Sequence, residues 1–181
     1  MTALNMEIRS VSESERVIVG VVAPYDELTY LTLDPAGERI RRGAFSRSIA
    51  HRGQSIPLLR NHDVERRMGT SRSFRDTDDG LVGEFVVNDG DPGDSLLLEL
   101  RQGYLAGLSV GFTRLRSERA ADGARDVTEA KLVEVSTVGV PAYEGAAVLA
   151  VRSAQNLDDL LAPFRNPPAV DLSPIPPLVF K

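Results

Sequence analysis

The segment from Leu105 to Val140, LAGLSVGFTRLRSERAADGARDVTEAKLVEVSTVGV, decides how this chain folds. Two runs with strand composition, Leu105–Leu115 and Arg125–Val140, flank Asp122-Gly123, a dipeptide that favours a tight hairpin turn. In the first run, strand alternation sets Leu108, Val110 and Phe112 on one face and Ser109 and Gly111 on the other. In the second, Val133 and Val135 share a face, and Leu132, Glu134 and Ser136 share the opposite one. A two-residue turn at Asp122-Gly123 sets Ser109 opposite Ser136 and Gly111 opposite Glu134. Ser109 and Glu134 then become diagonal neighbours on one face, about 7–8 Å apart at Cα. A register slip of two residues keeps them together, whereas a slip of one separates them.

That face carries the chemistry. A lone Glu in an apolar strand is costly to bury without a partner. The small Ser109 and the bare Gly111 leave room for a substrate backbone, or for N–H groups to approach an oxyanion. The same small residues also suit a plain strand crossing.

Outward from this hairpin, Glu15–Tyr25 reads as a buried strand closed by Pro24, and Glu27–Glu38 as a surface loop. Gly43–Arg52 suits a short amphipathic helix through Phe45 and Ile49. Ser55–Leu59 is a brief strand, and Met68–Arg75 and Leu81–Asn88 are strands flanking Asp78-Asp79-Gly80. Gly93–Arg101, preceded by Asp91-Pro92 and followed by Gly103, reads as a capped helix. Ala146–Arg152 is a last strand, and Asn156–Leu161 a short helix. Six of the final nineteen residues are Pro, so the chain divides into a domain over residues 1–153 and a helix with a Pro-rich tail over 154–181. The fold class is mainly β (α+β), a barrel or sandwich with peripheral helices.

Composition removes several functions. The 181 residues include no Cys and only two His, His51 and His62. A thiol nucleophile, a disulfide framework and a thiolate metal site are excluded, and neither metal nor cofactor is expected. A nucleophilic enzyme here must use a hydroxyl with a base. The net charge of −5 offers no overall case for nucleic-acid binding. Eight Arg between Arg39 and Arg67 adjoin eight acids between Asp76 and Glu99, segments able to pair with each other or with a second copy, or simply to face solvent. Met1–Ser10 has no apolar stretch of the secretory kind, and the longest apolar run, Val17–Ala23, is far too short to span a bilayer. A soluble, cytoplasmically made protein is expected.

Of the two bases, His62 follows a buried-looking strand and sits between Asn61 and Asp63, although such triplets also form ordinary turns. His51 ends a helix beside Arg52, where a solvated role fits better. Local spacing cannot bring His62 to the hairpin.

These residues fall in a recognisable order: APYD (Ala23–Asp26), GAF (Gly43–Phe45), NHD (Asn61–Asp63), Gly69, DGL (Asp79–Leu81), GLSVGF (Gly107–Phe112), EVSTV (Glu134–Val138) and PA (Pro141-Ala142). The chain resembles the prohead maturation serine proteases of tailed bacteriophages, a family similar in fold to the herpesvirus assembly proteases. The resemblance covers Val17 to Val151. It implies a herpesvirus-protease-like β-barrel and an endopeptidase that cleaves the scaffolding portion of the major capsid protein, and itself. The setting it implies is the immature capsid in the bacterial host cytoplasm. By the same resemblance Ser109 is the nucleophile and His62 the base. The herpesvirus relatives place a second His after the nucleophile; this chain has none there, and Glu134 is the matching residue. Asp63 is the rival orienting group. Backbone N–H groups near Val110 and Gly111, or Arg114, are candidates for the oxyanion, with Arg114 and Arg116 equally suited to solvated strand positions. Homodimerisation is implied by the herpesvirus relatives. Two other functions stand beside this one. One is a non-catalytic assembly module on the same barrel. The other is a small-ester hydrolase, which the absence of a G-x-S-x-G elbow on a strand–helix turn disfavours.

Overall fold

In the computed structural model the described residues are 16–30, 35–78, 80–105, 107–139 and 148–151. They form eight strands of one sheet and two helices. Strand β1 (Val17–Pro24) is a Val-rich segment whose side chains are almost all buried. Strands β2 (Glu38–Ile40) and β3 (Pro57–Arg60) are short, β4 (Asp63–Asp76) is long, and β5 (Gly80–Val87) pairs antiparallel with both β4 and β1. Strands β6 (Gly107–Arg119) and β7 (Arg125–Val138) form the long hairpin, and β8 (Val148–Val151) pairs with β1. Helix α1 (Ser46–Arg52) lies between β2 and β3, and α2 (Asp91–Arg101) between β5 and β6. No helix among the described residues is long and apolar enough to cross a membrane.

Strand β7 organises the sheet. Its one edge pairs antiparallel with β6. Its other edge is shared by three consecutive pieces of chain. Strand β2 runs parallel to Arg125–Val127, and β3 runs parallel to Val135–Thr137. Between them, the Ala130 amide donates to Ala44 O (2.8 Å) and the Leu132 amide to Ser48 Oγ of α1 (3.0 Å). The turn before α1 and the helix itself thus satisfy backbone groups that no strand reaches. From β3 the sheet continues through β4, β5, β1 and β8. It curls so that β1 comes back against β6, an incompletely closed barrel. The enclosed core includes Ile18, Val22, Phe45, Leu58, Phe85, Leu96, Leu108 and Leu132. Phe45 meets Phe112 edge-to-face at 5.7 Å, seating the start of α1 on β6. At the rim the Tyr25 hydroxyl donates to Asp76; burial first, and then that carboxylate, push the phenol well above its usual pKa.

The hairpin turn differs from the expected two residues. Arg119 pairs with Arg125, leaving residues 120–124 in the loop. Asp122 Oδ1 accepts from the Ala124 amide at 3.0 Å and Gly123 takes a φ of +86°. That amide, and then Arg39, hold the Asp122 carboxyl below its usual range. The loop shifts the register by one, and bulges at Thr128, Leu115 and Val133 each shift it again. Two extra residues on β7 against one on β6 restore the expected pairs, Ser109 opposite Ser136 and Gly111 opposite Glu134. The Val133 bulge also corrects the face of Leu132. Leu132 pairs with Phe112 and is fully buried in the core rather than standing beside Glu134, while Val133 is exposed.

Two further expectations change. Glu27–Glu38 is not wholly surface: Thr29 and Glu38 form an isolated bridge and both are buried. Strand β4 begins at Asp63 rather than Met68 because the Asn61-His62 turn starts the strand directly. The Arg-rich and acidic segments meet at Arg42–Asp78 (2.9 Å) and Arg60–Glu99 (2.7 Å), while Arg39, Arg41 and Arg47 pair with acids elsewhere. The expected helix Asn156–Leu161, the Pro-rich tail, Met1–Ser10 and Pro141-Ala142 lie outside the described residues.

Candidate active site

His62 reaches the hairpin through the parallel β3–β7 pairing, a contact between segments more than seventy residues apart. Arg60 pairs with Asp63, so Asn61 and His62 form a two-residue turn. Both have positive φ, 52° and 60°, as a type I′ hairpin turn requires. Asn and His are among the side chains that tolerate this region best. The turn is fastened to β7 twice: the Asn61 amide donates to Thr137 O (3.1 Å) and the His62 amide to Ser136 Oγ (3.0 Å).

From this perch the imidazole spans two side chains. Its Nδ1 lies 2.7 Å from Glu134 Oε1, and its Nε2 lies 3.1 Å from Ser109 Oγ. A carboxylate only accepts, so Nδ1 carries the proton and Nε2 offers its lone pair to the Ser109 hydroxyl. The structure therefore brings together all three residues expected from the sequence. Ser109 is 5% exposed and Glu134 8%, whereas the His62 side chain is 46% exposed and open to solvent on one side.

Burying the Glu134 carboxylate is costly unless donors meet it. They do: His62 Nδ1 serves Oε1, and the Ser136 hydroxyl donates to Oε2 at 2.7 Å. Ser136 is fully buried. The sequence already placed it on the Glu134 face, opposite Ser109, but its bridging contact was missed.

Gly111 serves the carboxylate rather than leaving room for a substrate backbone. A Cβ at Gly111 would stand 2.1 Å from Glu134 Oε1, so the carboxylate occupies the space that the missing side chain vacates. Asp63 turns away from the ring, its Oδ1 accepting from the Glu65 amide at 3.0 Å in a local turn. His51 lies in the last turn of α1 and takes no part. Arg114 pairs with the buried Glu38 at 3.3 Å and Arg116 with Glu129 at 3.6 Å. Among the described residues there is no cluster of three metal-ligating side chains.

A Ser hydroxyl, an imidazole and a buried carboxylate in this chain of contacts can generate a nucleophile by general-base catalysis. A family model described as caudovirus prohead serine protease matches residues 4–159. No curated protein sequence matches. Among solved structures, the chain is similar to the bacteriophage T4 capsid assembly protease, with 14% identity and a TM-score of 0.48 over 68% of this chain and 97% of that one. It is also similar to KSHV protease bound to a hexapeptide phosphonate inhibitor, with 13% identity and a TM-score of 0.48 over 82% of this chain and 68% of that one. Varicella-zoster virus protease is similar at 17% identity and a TM-score of 0.43, over 82% and 75% of the two chains.

Proposed function

The chain belongs to the caudovirus prohead serine protease family, and from that premise we propose that it is a serine endopeptidase of capsid maturation. Its substrates are the scaffolding portion of the major capsid protein and the protease itself. It acts inside the immature capsid, in the cytoplasm of the bacterial host. Residues 1–153 form the protease domain, and 154–181 an appendage to it.

The observation that carries this reading is the His62 ring, in contact with Ser109 through Nε2 and with Glu134 through Nδ1. Ser109 Oγ attacks the scissile carbonyl as His62 Nε2 takes its proton. The imidazolium then gives that proton to the leaving amine. Glu134 keeps the ring in the productive tautomer and stabilises its positive charge. Water repeats the sequence on the acyl-enzyme and frees Ser109.

The test is coexpression with the major capsid protein of the same phage, followed by mass measurement of the products. The wild-type chain should release the scaffolding portion, and the Ser109→Ala chain should leave the capsid protein whole. Intact capsid protein in both samples would favour a non-catalytic assembly module. Equal cleavage in both would assign the nucleophile elsewhere.

A further inference from the structure

Ser136 takes no part in the proton transfers described above, yet its hydroxyl joins the base to the acid. It is fully buried and lies opposite Ser109 in the hairpin register. Among the described residues its hydroxyl bonds neither the Ser109 side chain nor the imidazole ring. Its two contacts are the His62 backbone amide at 3.0 Å and Glu134 Oε2 at 2.7 Å. The direction of both is dictated. A backbone N–H only donates, so the hydroxyl accepts from His62; a carboxylate only accepts, so the hydroxyl donates to Glu134.

These contacts close a ring of hydrogen bonds. It runs from the His62 amide to Ser136 Oγ, on to Glu134 Oε2, and from Oε1 back to His62 Nδ1. Each carboxylate oxygen is held by a different group, so the carboxylate cannot rotate without losing one donor. The same hydroxyl pins the backbone of the left-handed turn that carries the imidazole.

We infer that Ser136 is a positioning residue, a clamp that sets the distance and angle between the base His62 and the acid Glu134. This inference rests on the reading of those two residues as base and acid. A hydroxyl that only satisfies a buried carboxylate would stabilise the fold without governing the ring. A clamp governs the His62 Nδ1 proton and the reactivity of Ser109.

Two readouts separate these roles. In the Ser109→Ala background, the His62 Nδ1 proton is expected as a downfield proton resonance, as for an imidazole N–H bonded to a carboxylate. Adding Ser136→Ala should abolish it. In the active background, Ser136→Ala should slow Ser109 phosphonylation at saturating alkyl fluorophosphonate by about 10- to 100-fold, with half-saturation unchanged. An unchanged resonance together with an unchanged rate would overturn the clamp. If Ser136→Ala does not fold, amide exchange in the wild-type chain decides: the His62 amide should exchange at least about tenfold more slowly than an unprotected amide of the same sequence, the net worth of one hydrogen bond or more. Equal exchange would overturn the clamp. A wild-type chain that phosphonate does not label at Ser109 would instead overturn the functional reading, while resonance and exchange still report on the clamp.

Discussion

The two ends of the β6–β7 hairpin are built on different physics. At the site end, from Gly107–Gly111 against Glu134–Val138, the register is unbroken and Ser109, Glu134, Ser136 and Thr137 are buried. The polar groups there are held at fixed distances by one another. Beyond Gly111, three bulges interrupt the ladder, and Arg116 and Arg119 stand toward solvent near Glu129 or the loop. Exposed ion pairs contribute little each, whereas buried hydrogen bonds to a carboxylate cost much to break. The near end is therefore rigid and intolerant, and the far end adjustable. Its bulges absorb the offset of the turn so that the site keeps its pairing.

Substitutions along the hairpin should expose this gradient. Ser109→Ala has the largest effect, lowering peptide cleavage by roughly 10⁴- to 10⁶-fold while leaving the thermal midpoint nearly unchanged. Loss of folding in that variant would undo the separation of chemistry from scaffold at this end. Leu132→Ala acts at the joint, where the Val133 bulge turns a fully buried side chain into the core. Denaturant unfolding should show a loss of about 2–5 kcal/mol. A loss under 1 kcal/mol would mean that the bulge does not direct Leu132 inward.

Gly111→Ala sharpens the contrast further. The three atoms nearest the added methyl all belong to the Glu134 side chain rather than to backbone, so the fold should survive. The carboxylate must nevertheless move, and cleavage should fall by about 100-fold. Full activity would show that Glu134 need not sit above Gly111. At the far end, Arg116→Ala removes an exposed pair with Glu129 and should cost at most about 1 kcal/mol in the same unfolding assay. A larger cost would place structural weight on the bulged half.

The smallest effect belongs to the turn. The Asp122 carboxyl is held below its usual range by the Ala124 amide and then by Arg39. A depressed carboxyl stabilises the fold above its unfolded pKa, near 4, and loses that contribution as pH falls through its folded value. Asp122→Asn should thus be slightly less stable than wild type at neutral pH. Thermal melts of the two should converge in acid. A gap that widens in acid would reverse the assignment.

The same contrast explains how far the sequence could be read. Alternation groups Ser109 with Gly111 and Glu134 with Ser136, because side chains of a strand repeat every two residues, and the turn at Asp122-Gly123 brings the two pairs to one face. The bulges leave no such signal, so alternation alone gives Leu132 the wrong face, and Asp122-Gly123 reads as a two-residue turn where the loop spans 120–124. Strand β2 carries no legible apolar pattern because Ile40 is its one apolar residue, preceded by Glu38 and Arg39 and followed by Arg41. The position of His62 was out of reach for a different reason. It depends on parallel pairing of β3 with β7, a long-range contact that no local pattern encodes. The motif order selected the residue, and the topology supplied its place. The exclusion of thiol chemistry required only the absence of Cys.

The central claim is that Ser109 is a nucleophile activated by His62, and phosphonylation tests it most directly. The wild-type chain is treated with an alkyl fluorophosphonate, weighed intact and mapped by peptide mass. The expected result is one adduct, on Ser109, whose formation is abolished by His62→Gln. An adduct on another residue, or labelling of Ser109 at the wild-type rate in His62→Gln, would contradict the claim.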